Sequence, residues 1–295
     1  MIDISLDKNY NLYTNWIDSY NFLDKINNNA YNYPEEIVNF HIYSEIKTEK
    51  ELECIKSLLA TQNLEKINLV LWSDYDVSNS PHLMPYKKYI NFKIYDPIKE
   101  AKGTVLEDKI NYLMAKDSKY YIQSDILRIL ALHKYGGIWS DMDMIFLRDF
   151  KPILDQEYMY QWGNIIDFEG FGPCGSILSL KKNSELSNRL INGILNMPIV
   201  KNSTIFGKDL FAKLYKEKKY TIFPSSFFNI EWLIDIDASK GWFEESCADD
   251  LLFLNCFSWH WHNTGYKNKP INYGSKFFKL QQITNKKLKQ KGFKV

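Results

Sequence analysis

A chain of 295 residues is long enough for one large α/β domain, or a core with a modest accessory lobe, and can bury a sizeable interior without covalent staples. Its 45% hydrophobic and 25% charged residues are globular values, which exclude disordered and fibrous classes. A formal net charge of +1 excludes a global field that would draw it to nucleic acid or to a membrane surface.

Cys54, Cys174, Cys247 and Cys256 lie far apart with no C-x-x-C spacing, which points to reduced thiols. The first residues carry no basic stretch followed by an apolar run, and no apolar run approaches the length of a membrane span. The expectation is a cytoplasmic protein with no transmembrane anchor. Of the 37 basic residues only Arg128, Arg148 and Arg189 are arginines, so each raises the question of what a planar fork does there that lysine would not.

Residues 1–33 place Trp16, Ile17, Phe22, Leu23 and Ile26 at helical spacing and read as a helical lead-in; 34–285 read as the main domain, and 286–295 as a lysine-rich tail forming a solvated helix or a frayed end. Ile37–Tyr43 predicts a strand. Residues 48–61 predict an amphipathic helix with Thr48 as N-cap and Glu51 closing a capping box. Ile67–Trp72 and Ile90–Tyr95 predict two further strands, and strand, helix, strand at these lengths is the pattern of a parallel α/β sheet. Helices follow over 105–116 and 122–135, the second with Ile122, Ile126, Ile129, Leu130 and His133 on one face and Gly136-Gly137 as its stop. Ile138–Phe146 predicts one strand. A glycine-punctuated loop (Gly163, Gly170, Gly172, Gly175), a strand near Ile177–Leu180, a helix over 183–196 and a strand at Tyr220–Phe223 precede an aromatic final third.

The chemistry concentrates in residues 124–150. On an extended segment Asp141 and Asp143 project to the same side, and two neighbouring like charges are costly to bury without a cation. A divalent ion taking oxygen ligands, Mg²⁺ or Mn²⁺, resolves that cost and keeps positions open for diphosphate oxygens. By itself D-x-D also fits a solvated strand end. Upstream, Asp125 and Arg128 stand three apart on one side of their helix, an arrangement that an ordinary surface ion pair would equally explain.

Together, S-D-I-L-R-x(6)-Y-G-G-I-W-S-D-M-D resembles the DXD-containing sugar-binding region of glycosyltransferases, most of all family 32 (mannosyl-, galactosyl- and capsule-type enzymes) and more distantly the large clostridial glucosylating toxins. The tight match covers about 30 residues, a looser one residues 37–270. The resemblance implies a GT-A fold, with a Rossmann-like sheet whose donor site lies at the C-terminal strand edges. It implies Asp143 as a direct metal ligand, Asp141 on the donor ribose and the metal, and Asp125 and Arg128 at the donor sugar's hydroxyls and anomeric carbon. Tyr43 falls where an aromatic stacks on the donor base, although the usual tryptophan and glycine are missing there. Trp72 and Asp74 end the second strand near the expected nucleotide site, with Trp72 as plain core the competing reading.

Residues 258–270, SWHWHNTGYKNKP, are similar to the H-x-x-G-x-x-K-P closing motif of retaining members, with one extra residue. His262 is then the third metal ligand, His260 being the alternative register, and Lys267 or Lys269 neutralises the departing diphosphate. The loop 170–176 is either an approach to the donor sugar or an ordinary turn, and Asp209 is a candidate on the reacting face. The implied activity is metal-dependent, retaining transfer of a sugar from a nucleoside diphosphate sugar, with a UDP-sugar expected, to a glycan hydroxyl. The rival readings are a toxin-like enzyme modifying a protein side chain, an inactive carbohydrate-binding GT-A protein, and a nucleotidyl- or phosphotransferase. The last lacks a phosphate-binding loop and a second acidic cluster.

Overall fold

The structure, a computed structural model, describes Ile2 and residues 10–115, 121–162, 173–197, 206–216, 220–230 and 240–294. In chain order its elements are α1 (Tyr10–Thr14), α2 (Trp16–Asp24), β1 (Val38–Tyr43), α3 (Glu49–Thr61), β2 (Ile67–Ser73), β3 (Ile90–Ile94), α4 (Pro97–Ala101), α5 (Ile110–Ala115) and α6 (Tyr121–Tyr135). Then come β4 (Gly137–Ser140), β5 (Met144–Phe146), β6 (Tyr158–Tyr160), β7 (Cys174–Leu180), α7 (Glu185–Leu195), α8 (Ala212–Lys216), β8 (Thr221–Phe223), β9 (Ser258–His260), α9 (Asn263–Tyr266) and α10 (Lys276–Gln290).

Seven strands form one sheet in the order β3-β2-β1-β4-β7-β6-β8. The pairs β3/β2, β2/β1, β1/β4 and β6/β8 are parallel, and β7 alone runs against its neighbours β4 and β6. Both faces are covered, which is why the strands read as continuous apolar runs. Phe40, Ile42, Leu69, Leu71, Ile138 and Ile177 pack with Ile55, Leu58 and Leu59 of α3 and Phe277, Leu280 and Leu288 of α10. Val70, Trp72, Trp139, Leu178 and Leu180 face the other way, onto Ile126, Leu127, Leu130 and Leu190 of α6 and α7. Strand order reverses between β1 and β4, so a ligand crevice is expected beyond the C-terminal ends of those two strands. Tyr43 and Asp141 stand at those ends.

Capping and helix boundaries follow sequence chemistry closely. The Thr48 side chain accepts from the Glu51 N–H, and the Glu51 carboxylate accepts from the Thr48 N–H, which completes the capping box of α3. Three expectations need correcting. The strand expected over Ile138–Phe146 is two strands in two sheets: residues 142–143 form a turn, and β5 leaves the large sheet to pair antiparallel with β9. The helix expected over 105–116 begins only at Ile110, after turns that follow Gly103 at φ +77°. α6 buries more than one face, because Asp125, Leu127 and Arg128 are covered as well as Ile126, Ile129, Leu130 and His133.

The lead-in helices are tied down by Arg148, whose fork donates to the carbonyls of Leu23, Ile26 and Asn255 at 3.2, 2.9 and 3.1 Å and to Asn28 Oδ1. Four acceptors arranged around one planar group explain why this position carries an arginine. On α10, Leu288 is fully buried while Lys287 and Lys291 reach back to the carbonyls of Leu147, Leu59 and Gln62. Their stems cover apolar surface and their ammonium groups cap peptide oxygens. No helix among the described residues is long and apolar enough to cross a membrane.

His41 in β1 holds the sheet to the α6–β4 turn. The Trp72 indole N–H donates to its Nδ1 at 3.1 Å, so the ring proton sits on Nε2 and donates to the Gly136 carbonyl at 3.0 Å. Burial, with Lys93 nearby, lowers its pKa from 6.5 to about 4. Because the unfolded chain binds this proton more readily, the neutral ring's contribution is fully present above about pH 6.5. It is lost as pH falls from 6.5 toward 4, a contribution on the order of 3 kcal/mol. Urea unfolding across that window should show this loss, and His41→Gln should flatten the slope. Equal slopes for the two proteins would remove His41 as the cause.

Candidate active site

Asp141 directly follows β4, and its N–H donates to the Ser176 carbonyl of β7 at 2.8 Å. Its Oδ1 accepts from Trp139 Nε1 at 2.7 Å and from Arg128 Nη2 at 2.8 Å. Arg128 Nη1 lies 3.2 Å from Asp125 Oδ1, so one guanidinium bridges two carboxylates contributed by α6 and by the end of β4. Asp125 and Arg128 are buried at 8% and 7% exposure. Burial lowers the Arg128 pKa, but Asp141 and Asp125 outweigh it and raise it, so the guanidinium remains charged. Its Nε finds no acceptor among the described residues, and a buried donor left in that state costs about 1–3 kcal/mol. Gly175 makes room for the fork: a Cβ there would lie 2.6 Å from Arg128 Nη1 and 2.7 Å from the Phe211 ring.

Asp143 is the second centre. Its Oδ2 accepts from the Asn263 N–H at 2.8 Å and stands 3.2 Å from His260 Nε2, while its carbonyl accepts from the Trp261 N–H at 3.0 Å. Antiparallel pairing makes this meeting, because Met144 of β5 faces His260 of β9. Burial pushes the Asp143 carboxyl up, but the His260 imidazole and the Asn263 N–H outweigh it and hold the group well below the usual carboxylate range. The His262 ring stacks on His260 at 3.9 Å between centroids, and the Asn229 side-chain amide lies 3.1 Å from its Nε2. Burial, with His260 adding, lowers the His262 pKa to about 2, which keeps that ring neutral. His262 adopts φ +52°, an unusual conformation for a residue with a side chain.

Asp125, Arg128 and Asp141 therefore form one cluster, and Asp143, His260 and His262 a second, two residues farther along the chain. Among the described residues no group of three or more His, Cys, Asp or Glu side chains is arranged to hold a metal ion. The donor chemistry still suits a hard divalent ion, since such ions are commonly held by one or two carboxylates with substrate phosphates completing the shell. Tyr43 donates its hydroxyl to Asp74 Oδ1 at 2.5 Å and meets Tyr95 edge-on, which brings the ends of β1 and β2 together. Trp72 is a correction: it has no exposed surface and spends its N–H on His41, so it is core and lines no nucleotide cleft. Lys269 pairs with Glu244 at 2.7 Å on the surface, and Lys267 is exposed. Gly163, Gly170, Phe171, Gly172 and the side chain of Asp209 lie outside the described residues.

Sequence reasoning missed Trp139, Tyr160 and Lys50. Lys50 of α3 donates to the carbonyls of Tyr266 and Lys269 at 2.6 Å each and sits over the Phe243 ring, which anchors the loop after α9. Its thirteen-residue helix gave only the periodicity of a surface lysine, so nothing in the chain pattern marked it.

No curated protein sequence matches the chain. Residues 48–160 match the family model described as "Glycosyltransferase sugar-binding region containing DXD motif", a stretch that holds Asp125, Arg128, Asp141 and Asp143. This part of the chain is similar to a glycosyltransferase sugar-binding region of the DXD type. Among solved structures, the glycosyltransferase GlyE of Streptococcus pneumoniae TIGR4 is similar at 8% identity and TM-score 0.50, covering 88% of this chain and 65% of that one. The PaToxG glycosyltransferase is similar at 19% identity over 72% of this chain and 80% of its own, with TM-score 0.44. An active-site mutant of LgtC follows at 11% identity over 83% and 95%, with TM-score 0.43. With its mostly parallel sheet between helices, the architecture is of the GT-A type.

Proposed function

We propose that the protein is a metal-dependent, retaining glycosyltransferase that moves a sugar from a UDP-sugar to a hydroxyl of a glycan acceptor. The observation that carries this reading is the bridge Asp125–Arg128–Asp141 at the point where strand order reverses, with Asp143 two residues beyond. Two carboxylates on one guanidinium, with Asp143 a third two residues beyond, suit a divalent cation, Mn²⁺ or Mg²⁺, held by Asp141, Asp143 and the His262 imidazole. Such an ion supplies positive charge against the donor's diphosphate.

The chain's own residues supply the rest. Arg128 offers a charged, preorganised donor whose Nε is unspent, aimed where a sugar hydroxyl or phosphate oxygen would sit. Asp125 fixes that fork and brings a carboxylate close to the sugar, where it favours the positive charge that grows at the anomeric carbon and ring oxygen. Tyr43 and Asp74, joined by their hydrogen bond, form a polar ledge at the β1 and β2 ends for the base and ribose. Lys267, exposed after α9, would offer its ammonium to the departing diphosphate.

The test is a donor panel of UDP-Glc, UDP-Gal, UDP-GlcNAc, UDP-GalNAc and GDP-Man, scored by thermal shift and slow donor hydrolysis with and without Mn²⁺. One UDP-sugar should both stabilise the protein and be hydrolysed only with Mn²⁺, releasing the sugar in the anomeric form of the donor. A folded protein that answers to no donor with Mn²⁺ present overturns the proposal.

A further inference from the structure

Asp143 is held from behind by a buried chain of side chains that the reading above does not use. Tyr160 closes β6 at 1% exposure and His260 closes β9 at 5%. The phenol oxygen lies 3.2 Å from His260 Nδ1, and His260 Nε2 lies 3.2 Å from Asp143 Oδ2. An ionised carboxylate only accepts, so Nε2 must carry a proton. Where the ring holds that one proton, Nδ1 accepts, and among the described residues the donor facing it is the Tyr160 O–H, while Nε2–H donates to Oδ2.

The phenol is itself oriented. Tyr160 is the register partner of Cys174 across β6 and β7, and the Cys174 thiol donates to Ser176 Oγ at 3.3 Å. Burial holds the Tyr160 phenol protonated, far above its ordinary range. At the other end, both hydrogen bonds to the Asp143 carboxylate, from His260 and from Asn263 N–H, fall on Oδ2. Oδ1 takes none from the described residues and remains free for a ligand. Three separate elements, β6, β9 and the turn after β4, thus meet at one hydrogen-bonded line.

We infer that Tyr160 and His260 are positioning residues for Asp143: the Tyr160 phenol sets the tautomer of His260, and His260 ties down one carboxylate oxygen so that the other is presented to the cation. This rests on the reading of Asp143 as a cation ligand. Outer partners that orient a metal ligand typically change metal affinity by about 10- to 100-fold when removed.

Two measurements test it. Nitrogen-15 spectra of histidine-labelled protein without metal should show His260 in the Nε2–H tautomer, and Tyr160→Phe should displace its Nδ1 signal. Direct Mn²⁺ titration in the presence of UDP should then give binding about tenfold weaker for Tyr160→Phe and about 10- to 100-fold weaker for His260→Ala, with the double variant no worse than His260→Ala alone. His260→Gln, which keeps an N–H to offer, should recover part of the loss. An Nδ1–H tautomer overturns the inference, as does Mn²⁺ affinity within about twofold of the unaltered protein in both single variants. If the tautomer and its response to Tyr160→Phe are as stated but the unaltered protein binds no Mn²⁺ with UDP, the positioning chain stands and the metal part of the proposed function falls.

Discussion

Replacing Asp143 by asparagine is expected to lower donor turnover about a thousandfold while the protein stays folded. The asparagine oxygen can still accept from the Asn263 N–H and from His260 Nε2, so the turn between β4 and β5 keeps its two inward bonds. What disappears is the charge. The carboxyl is held ionised well below the usual range, so the unaltered enzyme keeps it fully charged throughout the physiological window, and activity should show no acid limb from this group near neutrality. Asp141 is a poorer choice for the same test. Removing its charge leaves Arg128 with one carboxylate in place of two and takes the anionic acceptor from the Trp139 N–H, so a loss of activity would be mixed with a loss of structure. Donor hydrolysis and melting temperature measured together on Asp143→Asn decide the matter. Turnover within about tenfold of the unaltered enzyme would remove Asp143 from the reacting site.

Much of this geometry was visible in the sequence because it is local. The capping box of α3 needs only Thr48 and Glu51 three apart, and the strands β1 to β3 needed only apolar runs of the right length. The double glycine before the aspartates announced the turn out of α6. The break between β4 and β5 was hidden. Met142 carries the apolar alternation straight through a turn that has no glycine or proline, so Ile138–Phe146 reads as one strand.

The histidine register was hidden for a different reason. His260 and His262 flank one tryptophan, and nothing local distinguishes them. That His260 is the one to meet Asp143 follows from the pairing of Met144 with His260 across more than a hundred residues, and β5 and β9 are too short to announce themselves. α10 shows the reverse problem. Its lysines suggest a solvated end, yet Lys287 and Lys291 are drawn back onto peptide carbonyls while Phe277, Leu280 and Leu288 fill the core, a division of each side chain that composition cannot convey.

Gly137→Ala should destabilise the fold by on the order of 4 kcal/mol, although the change adds only one methyl group. Gly137 opens β4 at φ +109°, outside the conformations an L-residue adopts without strain. A Cβ there would lie 2.2 Å from the Asn39 carbonyl oxygen of β1. That atom is backbone in the neighbouring strand, so no rotamer change can relieve the contact, and β1 and β4 would have to separate where strand order reverses. Gly136 makes a useful contrast. At φ +66° it lies in the left-handed region, and its Cβ would meet Lys182 N at 2.9 Å, a milder conflict with a chain segment beyond the sheet. Gly136→Ala should therefore cost about 1–2 kcal/mol. Urea unfolding of both variants separates the two, and a Gly137→Ala protein within about 1 kcal/mol of the original would mean that β1 and β4 can yield there. The same spacing sets the distance between Tyr43 and Asp141, at the other ends of these two strands. On the proposed donor site, any Gly137→Ala protein that does fold should bind donor more weakly, because Tyr43 and Asp141 would move apart.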